Sequence, residues 1–238
     1  INHIKNFIDI EKNTKLTLIE IYTNSTFNVN THIKINNNSK IKHHILNYNN
    51  KKNTNIIKYN ININNNIKYN QNYISKNNTK YYFKTTFIGI NSKIKIKCLN
   101  KTKKKQFQET KHNIEHKKPY NKSNCLIKNI TTNQSKIKSV GIIHINKKSF
   151  KTKTNLQMNG IILSKKSTIN HKPQLSIKNK NIICNHSSTV GTFDKIILLY
   201  MKTRGINNIN IIKLLIKSFT YSIVKNIPHI IYKLTKNL

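Results

Sequence analysis

At 238 residues the chain can bury a substantial core, as one elongated domain or as a domain with a smaller appendage. Its 44 basic residues against 6 acidic ones give a net charge of +38, which on its own points to a polyanion such as RNA. Arg204 is the one arginine, however, and the residue that reads phosphate and guanine in a bidentate way is arginine. The excess of Lys, Asn, Ile and Tyr is what AT-rich codons produce.

Several function classes have no residues to carry them. There is no GxxxxGK phosphate loop and no GxGxxG, so ATP hydrolysis or dinucleotide binding by a known device is excluded. Six carboxylates, none beside a Ser and a His in a triad pattern, give hydrolase chemistry little to work with, and the chain reads as a non-enzyme. Cys98, Cys125 and Cys184 are too far apart for a zinc knuckle, and an odd count gives no disulfide framework, so a reducing compartment fits. No apolar run approaches the roughly 20 residues that span a bilayer, so no membrane partner is expected.

From Leu16 to Ile183 the dominant pattern is short apolar alternation, as in Ile33 and Ile35, Ile61 and Ile63, Ile94 and Ile96, and Leu175 and Ile177. Period 2 puts these side chains on one face of each strand. Asn, Lys and Ser clusters separate the strands and suit turns, because Asn tolerates left-handed backbone. With only five Gly in the chain, Asn is expected to take many turn positions where Gly would serve. No strict repeat is visible, and the residues alone leave a sandwich, a barrel and a stacked solenoid open. Lys101 to Ser123, rich in charge and poor in large apolar residues, reads as a solvated loop; its Glu109, His112, Glu115 and His116 lack tight metal-ligand spacing.

After Gly191 the period lengthens. Asp194 is a natural N-cap for a helix over Lys195 to Thr203, and Gly205 a natural stop. Beyond Asn207 and Asn208, the residues Ile212, Ile216, Phe219, Ile223 and Ile227 form a second helical stripe, ended by Pro228. That stripe serves either packing against the β core or docking of a partner. A last short turn is expected over His229 to Leu238. The division is therefore a β core over 1–190 and a helical region over 191–238.

Cys184 and His186 stand two apart, on one face of a strand. Thiolate and imidazole both ligate iron–sulfur clusters. A lone Cys-x-His is also what a buried thiol beside a solvated imidazole looks like. The polar neighbours Asn185, Ser187 and Ser188 place His186 beyond the last strand.

The stretch from Lys172 to Ile206, KPQLSIKNKNIICNHSSTVGTFDKIILLYMKTRGI, resembles the SufB/SufD family of iron–sulfur cluster assembly scaffolds, and within it the SufD branch. The resemblance rests on Lys172, Pro173, Leu175, Ile177, Cys184, His186, Thr189, Val190, Gly191, Asp194, Leu199, Tyr200, Arg204, Gly205 and Ile206. Ser176, Asn179, Lys180 and Ser187 depart from the usual family wording. Family members are longer, so the resemblance reads the chain as a fragment covering the C-terminal half to two-thirds.

The resemblance implies a mainly β fold, a right-handed parallel β-helix core followed by a small C-terminal helical region. It implies a non-catalytic scaffold subunit of the SUF complex. Such a subunit pairs with a SufB-type scaffold as a heterodimer and receives a SufC-type ATPase on its C-terminal helices. No cofactor is held stably; a transient iron–sulfur cluster forms at the SufB interface, where His186 is the expected metal ligand and Cys184 a second candidate. The compartment is the cytoplasm of a reduced-genome bacterium, or a plastid or apicoplast stroma. The competing reading, from charge alone, is an organellar RNA-binding or ribosomal protein, whose RNA would dissociate steeply with salt.

Overall fold

A computed structural model describes residues 2–23, 27–48, 54–76, 78–225 and 227–228. Its strands alternate between two sheets. One holds β1 (Asn2–Ile10), β3 (Phe27–Ile35), β5 (Asn55–Ile63), β7 (Thr79–Phe87), β9 (Phe107–His116), β11 (Lys136–Ile145) and β13 (Thr168–Ile177), side by side in that order. The other holds β2 (Lys15–Thr23), β4 (Lys40–Tyr48), β6 (Lys68–Lys76), β8 (Lys93–Thr102), β10 (Lys122–Thr131), β12 (Thr152–Ile162) and β14 (Ile182–Gly191). Each strand pairs in parallel with the strand two places along the chain. The architecture is thus a parallel β-solenoid, with α1 (Lys195–Thr203) and α2 (Asn208–Val224) after it.

The turns explain why so few glycines suffice. Asn13, Asn38, Asn66, Asn91 and Asn133 all have φ between 56° and 62°, a region that Asn enters with less strain than most residues because its amide bonds locally. These amides also bond from coil to coil: Asn66 Nδ2 donates to Asn38 Oδ1 at 3.1 Å, and Asn91 Nδ2 to Asn66 Oδ1 at 2.9 Å. The residue after Asn38 and after Asn91 is a buried serine that clips the previous coil. Ser39 Oγ donates to the Glu11 carbonyl at 3.0 Å, and Ser92 Oγ to the Asn64 carbonyl at 2.6 Å.

Inside the solenoid, residues at one register position stack on successive coils. Tyr59, Phe83 and His112 form such a column, with ring centroids 5.2 and 4.9 Å apart and planes within 12°. Phe87 stacks on His116 at 4.3 Å. The solvated loop expected over Lys101 to Ser123 is therefore wrong: β9 is a core strand whose His112 and His116 are 1% and 0% exposed. The physical reason is that β9 turns Gln108, Thr110, His112, Ile114 and His116 inward, so its buried face is largely polar and apolar alternation does not reveal it. Burial pushes His112 down to about 4 and His116 down to about 3, which keeps both rings neutral.

The His112 column ends at Gly141, where the space is taken by a neighbour. A Cβ at Gly141 would lie 2.7 Å from Leu156 Cδ2. Gly141→Ala is expected to destabilise the fold by about 1–3 kcal/mol through overpacking. Denaturant melts should show this beside Gly191→Ala, where nothing lies within 4 Å of the new Cβ; equal costs at the two sites would refute the tight contact.

Near the first coils one of the few carboxylates is drawn inside. Glu20 Oε1 meets His43 Nε2 at 2.7 Å, Tyr59 OH donates to Glu20 Oε2 at 2.6 Å, and His43 Nδ1 meets Tyr69 OH at 2.7 Å. Burial alone would raise the Glu20 carboxyl. The His43, Tyr22 and Tyr59 bonds and the His43 charge outweigh it and hold the group below its ordinary range.

Both helices start where their caps stand. Asp194 Oδ1 accepts from Ile196 N at 2.8 Å and Asn207 Oδ1 from Asn210 N at 2.9 Å, while Gly205, at φ +78°, ends the first helix just past its cap Arg204. The apolar stripe on α2 packs inward. Ile216, Phe219, Ile223 and Ile227 cover Leu46, Ile74, Leu99 and Ile130 on the outer face of the even-numbered sheet. Lys128 Nζ donates to the Phe219 carbonyl at 2.6 Å and Lys97 Nζ to that of Ser222, both in the C-terminal half of α2 where cations are favoured. The turn expected over His229 to Leu238 lies outside the described residues.

Candidate functional site

The solenoid ends on β13 and β14, the last strands of their sheets. β14 bonds to β12 along one edge, and among the described residues its other edge has no strand partner. Its period of 2 turns Ile182, Cys184 and His186 toward the interior side, in register with Thr152, Thr154 and Leu156 of the coil below. Ile182 and Cys184 pack against the core cluster, half-buried, whereas His186 is exposed. His186 therefore lies within an edge strand and not beyond the last one. The run of polar residues around it belongs to the strand's outward positions and its uncovered end.

The two candidates differ chemically. Burial raises the Cys184 thiol above its ordinary value, which favours the thiol over the thiolate. His186 projects into solvent at the rim, where an imidazole can meet a group supplied from outside. Among the described residues no three His, Cys, Asp or Glu side chains converge to hold a metal ion. Cys184 and His186 are at most part of a ligand set.

A second imidazole at this end escapes sequence reasoning. His171 on β13 is half-buried; its Nε2 lies 2.7 Å from Asn129 Nδ2 and its Nδ1 3.1 Å from Ser188 Oγ. Burial pushes His171 down to about 4, so the ring is neutral. The Asn129 amide can only donate, which makes Nε2 the acceptor and leaves the proton on Nδ1, directed at Ser188. Behind Asn129 the bonds continue inward: Asn100 Nδ2 donates to Asn129 Oδ1 at 2.8 Å, and Gln108 Nε2 to Asn100 Oδ1 at 3.0 Å. The one sequence signal was position, immediately before Lys172 and Pro173.

The helices present the other exposed feature. α1 buries none of its residues, and Ile196, Leu199 and Tyr200 are 76%, 63% and 57% exposed. Ile209, Leu214 and Tyr221 on α2 are also exposed. These are different residues from the stripe that packs on the sheet, and sequence periodicity did not single them out. No helix among the described residues is long and apolar enough to cross a membrane.

The sequence that builds this solenoid, its Cys-x-His edge strand and its first two helices also matches known proteins. The family model described as SUF system FeS cluster assembly, SufBD core domain, matches residues 1–219. The chain belongs to the SufBD family of iron–sulfur cluster assembly proteins. It is 29% identical over 135 residues to the iron–sulfur cluster assembly protein SufD of Escherichia coli, covering 57% of this chain and 32% of that protein. It is 27% identical over 125 residues to a SufBD family protein of Staphylococcus haemolyticus, covering 52% and 27%. A SufBD family protein of Synechocystis is 27% identical over 124 residues, covering 52% and 27%. The chain thus spans about a third or less of the length of these relatives.

Proposed function

We propose that the chain is a non-catalytic scaffold subunit of SUF iron–sulfur cluster assembly, pairing with a SufB-type scaffold through its last coil and receiving a SufC-type ATPase on its helices. The observation that carries this reading is the edge strand β14, which offers an unpaired strand edge and sets Cys184 and His186 on one face at the end of the solenoid. An edge strand is a template for pairing with another chain. With two donors present and, among the described residues, no third side chain converging on them, the remaining ligands come from the partner. The nascent cluster is the cargo of that interface. Histidine binds iron when neutral and releases it on protonation, which suits a cluster that is passed on. The compartment is a bacterial cytoplasm or a plastid stroma.

Docking of the ATPase falls to the exposed apolar side chains of α1. Truncation after Gly205 would also uncover Leu46, Ile74, Leu99 and Ile130, so point variants separate docking from folding. Leu199→Glu combined with Tyr200→Glu is expected to weaken capture of a co-expressed SufC-type ATPase at least about tenfold, as loss of a central apolar anchor does. Capture of a SufB-type scaffold should remain. Co-purification of the three chains makes the measurement. Retention of the ATPase by the double variant would move the docking surface elsewhere, and failure to capture either partner with the unaltered chain would remove the proposed role.

A further inference from the structure

The even-numbered sheet carries a line of lysines that the scaffold role does not use. The register stacks Lys15 on Lys40, then Lys68, Lys93, Lys122 and Lys153, one from each of six successive coils. All six are exposed. Composition alone does not supply this: 44 of 238 residues are basic, fewer than one in five, yet this register position is lysine six times running. Adjacent strands lie about 4.8 Å apart, so the line is about 24 Å long. The next outward column continues the pattern with Lys42, Asn70, Lys95 and Asn124.

Like charges directly opposite one another on a sheet oppose folding, and this face contains nothing to relieve them. Among the described residues the ion pairs made by lysines are Lys34 with Asp9, Lys117 with Glu115 and Lys138 with Glu109. All three lie on or beside the odd-numbered sheet. The one acidic residue on the even-numbered strands, Glu20, is turned inward to His43. The countercharge must therefore come from outside the fold.

The shape and chemistry of the surface select the partner. Lys68, Lys93, Lys122 and Lys153 of the line, with Lys42, Lys95 and Lys97 beside them, line a groove of about 770 Å³ on the outer face of the sheet. α2 lies on the same face, held by Lys97, which also lines the groove. A helix is about 10 Å across, so α2 stands above the sheet and holds a flat bilayer off the groove. Among the residues that line the groove, His44 is the one ring. Protein partners draw most of their binding energy from clusters of aromatic and apolar anchors, and here Ile183 is the one exposed apolar side chain in a lining dominated by lysine and asparagine, whereas a phosphate backbone binds lysines by releasing counterions. With one imidazole in the groove, successive bases cannot each stack on the protein, and the lysines carry the contact.

We infer that this groove takes the phosphate backbone of a single-stranded nucleic acid, independent of base sequence. This inference stands apart from the scaffold role and fails or survives separately.

The test is fluorescence anisotropy with a labelled oligo(dT) of about 12 nucleotides, a length within the range of single-strand sites, titrated at several salt concentrations. Six phosphate contacts predict a slope of log affinity against log salt of about −4, at about −0.7 per contact. Replacing Lys68, Lys93 and Lys122 together by Gln should weaken binding and reduce the slope by about 2. The same three positions as Arg should retain it. Replacing Lys58, Lys84 and Lys111, exposed on the odd-numbered sheet, by Gln removes the same charge and should leave the slope unchanged. Thermal melts by circular dichroism establish that each variant is folded. Equal losses in the two glutamine triples would mean bulk charge and overturn the inference. So would equally tight binding of a polyglutamate peptide or of phosphatidylserine vesicles at the same salt, or no salt-dependent binding of the oligonucleotide.

Discussion

Lowering the pH from 6.5 to 5 is expected to remove about 3 kcal/mol of folding stability through His112 and His116 alone. In the unfolded chain each imidazole takes up a proton near pH 6.5. In the native solenoid burial holds them at about 4 and about 3, so across this window the unfolded state goes from about one to nearly two protons that the folded state does not bind. Stability then falls with acidification by about 0.7 kcal/mol per pH unit for each ring at pH 6.5, steepening to about 1.4 toward pH 5. Among the described residues neither ring nitrogen of His112 has a hydrogen-bond partner, so nothing compensates a charge placed there. His171, also pushed down to about 4, acts in the same direction. Glu20, held below its ordinary range, adds its own loss only at lower pH, as acidification carries it through its folded value. Denaturant titrations at half-unit pH steps measure the slope. His112→Phe, which keeps a ring stacked on Phe83, should remove about half of the slope due to this pair. A flat stability profile from pH 6.5 to 5 would mean that these rings are not held neutral in the native core.

His186→Ala is expected to leave folding intact while cutting cluster formation on the reconstituted assembly with SufB-type and SufC-type partners. The side chain is exposed on an edge strand, and substitutions at such sites without special contacts usually stay within about 1 kcal/mol. Cys184→Ala makes the comparison, because its half-buried thiol packs on the core and should cost stability as well. Melting temperature and iron–sulfur absorbance should be read on the same preparations. Unchanged absorbance for His186→Ala would take the imidazole out of the mechanism, and a large fall in melting temperature would give it a structural role.

Sequence patterns revealed the fold where local chemistry is decisive. Asp194, Asn207 and Gly205 mark helix ends through caps that act within three residues. The strand pairs such as Ile61 and Ile63 show their alternation because their interior neighbours are apolar. β9 was lost because the column it joins is filled by rings and amides, and His112 contributes a flat face to Phe83 without registering as apolar. The function of the α2 stripe was open until the apolar outer positions Leu46, Ile74, Leu99 and Ile130 were placed beneath it, since these belong to different coils. The lysine line was hidden for a related reason. Successive members are separated by between 25 and 31 residues, and this uneven spacing conceals a straight column. At the candidate site, Cys184 and His186 were legible from spacing, while His171 was not, because its partners Asn129 and Ser188 lie 42 and 17 residues away.

The stacking of coils also sets a gradient in how readily the chain opens. Each coil is held chiefly by the coils directly above and below it, so the molecule behaves as a one-dimensional array in which opening propagates from the ends. Amide hydrogens of β6 to β10 should exchange slowest, and those of β14 among the fastest in the solenoid. The strand that carries Cys184 and His186 is thus among those whose backbone reorganises at least cost. A chain that pairs along its edge would act as a cap on the array, and its binding would be recorded as slowed exchange at β14 and β12 well before it altered the melting of the middle coils.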